Sequence, residues 1–447
     1  MKRFNSLLLA GLTLQLTSLV FAQEKPNMIY IMVDDLGYGD LSCFGQTAFE
    51  TPNIDQLAIE GIKFTDYHSG NTVCRPSRLA LWTGIDPRHA PIIGNQAYAM
   101  QDSDVTVGEL LKEAGYTTGG VGKWAMFNGE EGHPNDHGYD FWMGYLNQSN
   151  AHNFYPPYVW RNHEKVPLGG NLAGPTHEPY RGRVANGRET YSHDVMTEEA
   201  LGFIRRNANG PFLLHVHWTI PHANNEGGRA WQDGMEVPSY GEFENKDWPN
   251  PEKGFAAMIT HMDRDVGRIM ALLKELNIDN NTLVIFTSDN GPHHEGNHDH
   301  AFFDSNGPLK GYKRDLYEGG IRVPMLARWP GKIKAGTKSS FTSAFWDWLP
   351  TACELAGVDA PDNIDGTSLL PAFIGETEKR RTPLFWKFGD STRFKVAVRS
   401  GNWKAIKNTA DGAWELYDLS TDLGEENDLA AKNPEMLAGL VHLLEED

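Results

Sequence analysis

Acidic side chains follow two apolar runs of this sequence, at points where a buried strand would end. Asp34 and Asp35 come directly after MIYIMV, and Asp289 and Asn290 follow LVIFT closely. Because ligands collect beyond the carboxyl ends of strands in an open parallel sheet, these side chains are expected to meet. Three carboxylates and one amide suit a hard cation, Ca²⁺ or Mg²⁺. Turn and helix-cap chemistry would explain either pair alone, but the presence of both pairs favours a metal.

A cysteine begins the segment CRPSRLALWTG, which runs from Cys74 to Gly84. Residues Leu79 to Trp82 can form a helix, so that Cys74 would lie near its amino end, where an anion is favoured. Arg78 could reach the same anion with two parallel hydrogen bonds. Taken alone, Cys74 would be an activated thiolate nucleophile, although a partner cannot be singled out among the 17 histidines.

This segment resembles the C-x-P-S-R-x-x-x-x-T-G signature of the type I sulfatases, which belong to the alkaline phosphatase superfamily. The resemblance continues, in the family's order, with Asp34-Asp35, with GKW at 122–124, with DNG at 289–291 and with Lys313 in KRDLYEGGIRVP. The resemblance covers nearly the whole chain after residue 22. Within the family, the sequence resembles bacterial polysaccharide sulfatases and arylsulfatases. Members of this family convert the cysteine before folding to formylglycine, an aldehyde whose hydrate is the nucleophile.

The resemblance implies a role for each matching residue. Four residues would bind one divalent cation, calcium rather than magnesium: Asp34, Asp35, Asp289 and Asn290. Modified Cys74 would add an oxygen to the metal shell, and Arg78 would hold it in place. Lys123 and Lys313 would contact sulfate, and His222 would protonate the leaving alcohol. These are the groups that cleavage of a sulfate ester requires in any case: a nucleophile, cations facing the oxygens and a proton donor.

One position departs from the family pattern. Members commonly read G-K-W-H, and that histidine is thought to help deprotonate the hydrate and break the covalent intermediate. Here the residue is Ala125. His152 matches a family position near the sulfate and is the first candidate substitute. A substrate contact or a loop hydrogen bond is the alternative role for His152.

Other histidines crowd two places. His215 and His217 alternate along one predicted strand, where packing is expected for His215 and is one of two possibilities for His217. Four histidines follow Asn290: His293, His294, His298 and His300. They could form a second metal site, but their spacing fits no zinc motif. Lining of a substrate groove is favoured, with His293 and His294 as substrate-binding residues.

The elements that would position these residues alternate between strands and helices. Apolar runs at 28–33, 117–124, 212–220, 283–287 and 321–327 are predicted strands. A capping box at Thr106 to Glu109 begins one helix, and Gly254 to Leu276 is a long amphipathic helix. The alternation predicts an α/β fold with a large, mostly parallel sheet sandwiched by helices. Residues 127–192 and 222–252, rich in Gly, Pro, Asn and His, are predicted to be long loops.

The pattern changes after about residue 380. Short segments at 394–398, 403–406 and 414–417, separated by turn residues, predict a small antiparallel sheet, and Asn433 to Glu446 predicts a final helix. We therefore expect a catalytic domain at 23–380 and a C-terminal subdomain at 381–447. The acidic pair Glu425-Glu426 is expected to be a solvated surface.

Composition limits the class of protein. The chain has 447 residues with 40 Lys and Arg against 59 Asp and Glu, so its formal net charge of −19 excludes a general nucleic-acid binder. Residues 1–22 are typical of a signal peptide, with Lys2 and Arg3 before an apolar run and Ala22 at the cut site. Export to the periplasm or the medium is expected, with no membrane span. The three cysteines allow one disulfide at most, so the chain does not depend on a disulfide framework.

The leading hypothesis is an exported sulfatase that acts on a sulfated carbohydrate and requires a formylglycine-generating enzyme for its maturation. The aromatic run FYPPYVW and the export signal favour a sugar over an aryl ester. A galactose or N-acetylgalactosamine sulfate is suggested by the resemblance. A phosphodiesterase or phosphonate monoesterase of the same superfamily is one alternative. A sulfated-glycan-binding protein that lost turnover with the missing histidine is another.

Overall fold

The computed structural model describes residues 25–175, 183–376, 379–389 and 394–445, and the predicted signal peptide lies outside them. The strands in chain order are β1 (Asn27–Val33), β2 (Ile62–Phe64), β3 (Tyr67–His68), β4 (Thr117–Lys123), β5 (Phe141–Tyr145), β6 (Tyr158–Arg161), β7 (Glu164–Pro167), β8 (Leu172–Ala173), β9 (Ala185–Gly187), β10 (Phe212–His217), β11 (Thr282–Ser288), β12 (Met325–Arg328), β13 (Thr337–Ser339), β14 (Ser343–Ala344), β15 (Leu384–Phe388), β16 (Lys395–Ser400), β17 (Trp403–Lys407) and β18 (Trp414–Asp418). The helices are α1 (Pro52–Glu60), α2 (Cys74–Thr83), α3 (Val107–Glu113), α4 (Ser192–Asn207), α5 (Asn225–Trp231), α6 (Asn250–Glu275), α7 (Glu318–Ile321), α8 (Trp348–Ala356), α9 (Leu370–Phe373) and α10 (Pro434–His442).

Ten strands form the main sheet, in the order β13-β2-β12-β11-β1-β10-β4-β5-β6-β7. Its middle five strands, β11-β1-β10-β4-β5, are parallel, and antiparallel pairs extend the sheet on both sides. The predicted α/β fold with a mostly parallel sheet is confirmed. The capping box that begins α3 is also present, with Thr106 and Glu109 as its two members.

Helices cover both faces of the main sheet, and the alternation of side chains along β1 shows how. Ile29, Ile31 and Val33 pack into a core shared with α1, α4 and α6. Met28, Tyr30 and Met32 pack on the other face against α2, α3 and α8. A strand that is buried on both faces must be apolar throughout, which explains the run MIYIMV. No helix among the described residues has the length and apolarity needed to cross a bilayer.

Two predictions about the main domain were wrong in detail. The segment predicted as one strand at 321–327 contains the end of α7 and the start of β12, which runs antiparallel to β11. The segments predicted as long loops contain β5 to β9 and the whole of α5. Two of the missed strands, β6 and β7, form a hairpin in a polar stretch, and a two-residue turn with Asn162 at φ 50° joins them.

The C-terminal residues form a four-stranded sheet in the order β15-β16-β17-β18, and each neighbouring pair is antiparallel. Helix α10 covers one face, where Leu440 packs with Val398 and Leu416, so the predicted sheet and helix are confirmed. The expected solvation of Glu425 was wrong, because its side chain is buried. Its Oε2 atom accepts the backbone N–H of Glu318 at 2.6 Å, and Lys404 Nζ lies 2.9 Å from Oε1.

Candidate active site

The register of the central strands brings the acidic residues together. In the parallel pairing of β1 with β11, Val33 lies opposite Ser288, so the next residues, Asp34 and Asp289, leave the sheet side by side. Asp289 N–H donates to Val33 O at 3.0 Å. Asp35 then turns in a left-handed conformation at φ 67°, and its N–H donates to Asp289 Oδ1 at 3.2 Å. These carboxylates therefore lie close together at one edge of the sheet, as predicted.

Helix α2 begins at Cys74, which is fully buried beneath this edge. The Cys74 thiol donates to Asp34 Oδ1 at 3.3 Å. Ser77 Oγ donates to Asp289 O at 2.6 Å, so the first turn of the helix is bonded to the end of β11. Burial and the nearby charge of Asp34 raise the pKa of the Cys74 thiol. A thiolate nucleophile is thus disfavoured at this position.

Arg78, one turn further along α2, is buried among the carboxylates. Its Nε and Nη2 atoms lie 2.9 and 2.8 Å from Asp289 Oδ2, and Nη2 lies 3.3 Å from Asp34 Oδ2. Its Nη1 atom donates to Lys123 O at 2.7 Å. The guanidinium is thus bonded within the protein, where it fixes two carboxylates and the end of β4.

Two lysines pair with two of these carboxylates. Lys123 Nζ lies 2.6 Å from Asp34 Oδ2, and Lys313 Nζ lies 2.7 Å from Asp35 Oδ2. The residue before Lys123 must be glycine, because a Cβ on Gly122 would lie 1.8 Å from His217 O and the backbone has φ 100°. The close packing of β4 against β10 therefore positions Lys123.

The three carboxyl groups respond differently to their surroundings. Burial opposes ionisation of all three, but at Asp34 the charge of Lys123 and other cations outweighs it and lowers the pKa well below the usual range. Lys313 does the same at Asp35. Burial and the charge of Asp34 instead raise the pKa of Asp289 to about 7, in spite of Arg78. A bound cation would relieve the repulsion between Asp34 and Asp289 that this shift reflects.

The residues present fit a hard divalent cation. Asn290 Nδ2 donates to Asp35 Oδ1 at 2.7 Å, whereas Asn290 Oδ1 is buried and accepts no hydrogen bond from the described residues. An unpaired buried acceptor costs about 1–3 kcal/mol, and a metal ligated there removes that cost. Ligand atoms of Asp34, Asp35, Cys74 and His222 lie within 4.8 Å of one another. Asp34 and Asp35 supply oxygen donors in this group, as Asp289 and Asn290 do beside it, and oxygen is the donor that Ca²⁺ and Mg²⁺ prefer.

His222 lies beside Lys313 at the mouth of this centre. Its Nδ1 atom is 2.6 Å from Ala223 O, which can only accept, so Nδ1 carries a proton. The Nε2 atom then accepts from Lys313 Nζ at 3.2 Å, and it lies 3.4 Å from Asp35 Oδ2. Burial, with the charge of Lys313, lowers the pKa of His222 to about 3. The ammonium group of Lys313 thus donates a hydrogen bond to the neutral imidazole of His222.

His152 contacts His222. The two rings stack with centroids 4.8 Å apart, and His152 Nδ1 lies 3.2 Å from Glu226 Oε2. Ala125, at the position where the family commonly has histidine, is buried with φ 72°, and its carbonyl accepts from Arg75 Nε at 3.0 Å. His152 therefore contacts His222, the candidate proton donor, as well as Glu226.

The other histidines have separate surroundings. His215 is buried and contacts Tyr139 OH and Trp348 Nε1, as packing requires. His217 stacks on Trp82 and lies 3.5 Å from Arg78 Nη1. His298 stacks on a phenylalanine and lies 2.6 Å from Glu252 Oε2.

The two histidines predicted to bind substrate differ in exposure. His293 is buried, with Nε2 3.0 Å from Pro221 O and Nδ1 accepting the N–H of Glu295 at 3.2 Å. It connects the loop after β11 to the segment that carries His222. His294 is about half exposed and lies 3.2 Å from Asp299 Oδ1.

Sequence reasoning missed two carboxylates beside the site, Glu226, which is buried, and Glu295, which is largely buried. Glu295 Oε2 lies 3.0 Å from Lys313 Nζ, and Glu226 accepts from His152 and, at 2.8 Å, from Arg183 Nη1. The one available signal was position, since Glu295 follows Asn290 by a few residues in the same loop.

Comparisons with known proteins agree with this geometry. The sequence pattern of the sulfatase family matches residues 26–358, and that of the C-terminal region of N-sulphoglucosamine sulphohydrolase matches residues 299–446. N-acetylgalactosamine-6-sulfatase of Canis lupus familiaris is 34% identical over 90% of this chain and 75% of its own length. N-acetylgalactosamine-6-O-sulfatase of Bacteroides thetaiotaomicron is 30% identical over 94% and 93%. A crystal structure of Ps i-CgsB in complex with k-i-k-neocarrahexaose has TM-score 0.81 and 29% identity, covering 95% of this chain and 92% of that one.

The fold and the buried centre define a hydrolase with the alkaline phosphatase-like architecture. The matched residues and relatives make the class specific. The chain belongs to the sulfatase family and is a sulfuric ester hydrolase.

Proposed function

We propose that this protein hydrolyses a sulfate ester on a carbohydrate, with Cys74 oxidised to formylglycine. The observation that carries the proposal is the position of Cys74, buried at the start of α2 and 3.3 Å from Asp34 Oδ1. The carboxylate contacted there also contacts Lys123, and its neighbour Asp35 contacts Lys313. A nucleophile on residue 74 would therefore stand between the metal ligands and the two lysines.

Asp34, Asp35, Asp289 and Asn290 would hold one Ca²⁺. When bound, the cation would stabilise negative charge on the attacking oxygen and on the sulfate. Arg78 fixes Asp34 and Asp289 in place, so the ligands are oriented before the ion arrives. Lys123 and Lys313 would turn their ammonium groups from the carboxylates towards the sulfate oxygens, and charge-assisted hydrogen bonds would orient the ester.

The leaving alcohol needs a proton, and the pair of His222 and Lys313 is suited to supply it. The His222 Nε2 atom accepts from the ammonium group of Lys313, so transfer of that proton would give an Nε2–H that can protonate the departing oxygen and would leave Lys313 as a neutral amine. His222 Nδ1 remains fixed by Ala223 O, which keeps the ring in one orientation. His152, stacked on this ring, would orient the sugar.

The substrate class rests on the relatives. Both curated relatives are named for N-acetylgalactosamine 6-sulfate, and the solved structure contains a carrageenan oligosaccharide. We infer a galactose or N-acetylgalactosamine sulfate within an oligosaccharide or polysaccharide. The inferred setting is the periplasm or the medium, after removal of residues 1–22 and modification by a formylglycine-generating enzyme. Residues 23–380 would form the catalytic domain and 381–447 the subdomain.

Two measurements test the proposal. The mass of the peptide that contains residue 74 reports conversion of the thiol to the aldehyde, and ion chromatography reports sulfate released from a panel of sulfated galactosamine and galactose saccharides. Metal content is measured on the same sample. Unmodified Cys74 in protein that still releases sulfate would overturn the nucleophile. Faster hydrolysis of phosphonate monoesters or phosphodiesters than of any sulfate would overturn the substrate class.

A further inference from the structure

A cavity of about 330 Å³ opens beside the catalytic centre, and no role assigned above accounts for it. Two arginines line it, Arg229 from α5 and Arg314 from the residue after Lys313, together with Glu295. Its floor is close-packed backbone, since a Cβ on Gly228 would lie 2.7 Å from the Cα of Gly296. The cavity is thus a built concavity with two guanidinium groups.

Glu295 connects this cavity to the centre. Its Oε2 atom lies 3.0 Å from Lys313 Nζ, and its Oε1 atom pairs with Nη2 of Arg314. One carboxylate group therefore separates the amine that would contact the scissile sulfate from the guanidinium in the cavity. The two cationic groups contact the two oxygens of this one carboxylate, so a single saccharide could reach both.

The backbone holds Arg314 in this position. Its φ is 81°, a conformation that is uncommon for a residue with a side chain. Its N–H donates to Thr72 O and Thr72 Oγ1 at 3.1 and 2.9 Å, which compensates for the strain. The side chain is about half exposed, so its planar fork remains accessible to a ligand.

Arg229 adds the second guanidinium. It lies four residues after Asn225 on α5, hence on the same helix face, and Asn225 Nδ2 donates to Glu295 Oε2 at 3.1 Å. Arg229 is exposed and forms no ion pair with any residue in the described part of the chain. Glu295 already contacts Lys313 and Arg314, so the cavity keeps a positive charge.

We propose that Arg229 and Arg314 form a second anion subsite, which binds a further sulfate or carboxylate group of the saccharide whose ester is cleaved. This inference rests on the proposed function. Guanidinium groups bind both kinds of oxyanion with paired hydrogen bonds. Either of two groups could supply this anion: a second sulfate on the same sugar, or the carboxylate of a neighbouring uronic acid.

The test compares substrates that differ in one anionic group. N-acetylgalactosamine 6-sulfate is set against the 4,6-disulfate, and a uronic acid-containing disaccharide 6-sulfate against its carboxyl-reduced form. We expect the wild type to prefer the more anionic member of at least one pair in kcat/KM. The Arg229→Gln and Arg314→Gln variants should each reduce that preference about tenfold, mainly through KM, as loss of a charge-assisted bond does. Arg205→Gln, at an exposed arginine near the end of α4, is the matched control.

A binding measurement separates this inference from the proposed function. The same saccharides are titrated by calorimetry into Cys74→Ala and into Cys74→Ala combined with Arg229→Gln. Absence of sulfate release by the wild type on every saccharide would refute the proposed function alone. Equal affinity ratios in the two titrated proteins, or no preference for the more anionic member of either pair, would refute the subsite. The pair that shows the preference identifies which group occupies it.

Discussion

Two clusters of charged residues in this protein contain the same kinds of residue. They differ in whether all of their polar atoms have partners within the protein. The catalytic cluster consists of Asp34, Asp35, Asp289, Glu295, Arg78, Lys123 and Lys313. The junction cluster, between the main domain and the C-terminal sheet, consists of Asp66, Glu318, Glu425, His68, Arg322, Arg399 and Lys404. The comparison shows which buried acids await a ligand.

In the junction cluster, three carboxylates meet three cations at short distances. Arg399 contacts both oxygens of Asp66 at 2.7 Å, a bidentate pair. Lys404 Nζ lies 2.8 Å from Glu318 and 2.9 Å from Glu425. Although Asp66, His68 and Glu318 are close enough together to chelate a metal, the arginines and Lys404 already occupy their oxygens. The cluster is complete as a structural element.

In the catalytic cluster, each carboxylate also has a cation partner, since Arg314 pairs with Glu295, but Asn290 Oδ1 has no partner among the described residues. A divalent cation would ligate that oxygen and would free the lysines for an anionic substrate. Proximity of acids alone therefore does not mark a metal site. A buried, unpaired oxygen beside the acids does.

The largest effect is expected for the nucleophile. Cys74→Ala should lower kcat by about 10⁴-fold or more, because removal of a nucleophile leaves only binding and electrostatic stabilisation. Steady-state kinetics on a nitrophenyl sulfate measure this, and thermal unfolding checks the fold. Cys43→Ala, at a half-buried free cysteine, is the matched control and should retain turnover. Near-normal turnover by Cys74→Ala would contradict the assignment.

Metal content should separate the two clusters. Asp289→Ala should lose bound calcium and most activity, because one ligand is gone and Arg78 loses its partner. Asp66→Ala should lose about 3–5 kcal/mol of unfolding free energy, as a broken buried pair does, but keep its calcium. Elemental analysis and urea unfolding of both variants test this. Unchanged calcium in Asp289→Ala, or lost calcium in Asp66→Ala, would break the distinction.

Removal of the proton donor should depend on the leaving group. A sugar alkoxide is a poor leaving group, so His222→Ala should lose about 10²–10⁴-fold in kcat on a sulfated sugar. The loss should be much smaller on a nitrophenyl sulfate, whose leaving group needs no proton. His68→Ala, in the junction cluster, should show no dependence on the leaving group. Equal losses on both substrates would instead place His222 in sulfate binding.

His152 should have a smaller effect because it touches His222 rather than the metal ligands. We expect His152→Ala to raise KM for a sulfated sugar about tenfold, with aryl ester turnover retained, as loss of one hydrogen-bonded contact does. Mass spectra of the intact protein during turnover provide the second readout. Accumulation of a covalent sulfated enzyme would show instead that His152 replaces the histidine missing at Ala125.

The smallest effect concerns stability and pH at the junction. Burial raises the pKa of Glu425 from 4.5 to about 7 in the folded protein, in spite of Lys404. The folded state therefore holds a proton that the unfolded state has released, so stability should fall as pH rises from about 4.5 to 7. Glu425→Gln should flatten this dependence in urea unfolding across that range. An unchanged slope would show that Glu425 stays ionised beside Lys404.

The sequence predicted the parts of the molecule that local patterns determine. The run MIYIMV and its two following aspartates indicated both a strand and the place where it ends. The Cys74 segment predicted a helix at Leu79 to Trp82, and α2 in fact begins earlier, at Cys74. Glu425 and Glu295 could not be predicted in the same way. Each is an ordinary acidic residue in a polar stretch. Glu425 pairs with Lys404 and Glu295 pairs with Lys313, and the local sequence shows neither contact.

The same limit explains the missed strands β5 to β9. Their residues carry no clear alternation, and β6 and β7 are stabilised by pairing with each other and with β5. His152 shows the limit at the site, because a motif position placed it near sulfate while its contacts with Glu226 and His222 depend on how its segment packs against α5 and the residues before it.

The bonds that close the catalytic cluster join residues far apart in the chain. Asn290 donates to Asp35 across 255 positions, and Lys313 contacts Asp35 across 278. Such long loops close only after the intervening chain has been synthesised. At about 5–20 residues per second, the ribosome needs about 12–48 s to proceed from Cys74 to Lys313. During that interval the residues that complete the cluster around the thiol, which ends fully buried, have not been synthesised, so the order of translation would give the proposed modifying enzyme time to act.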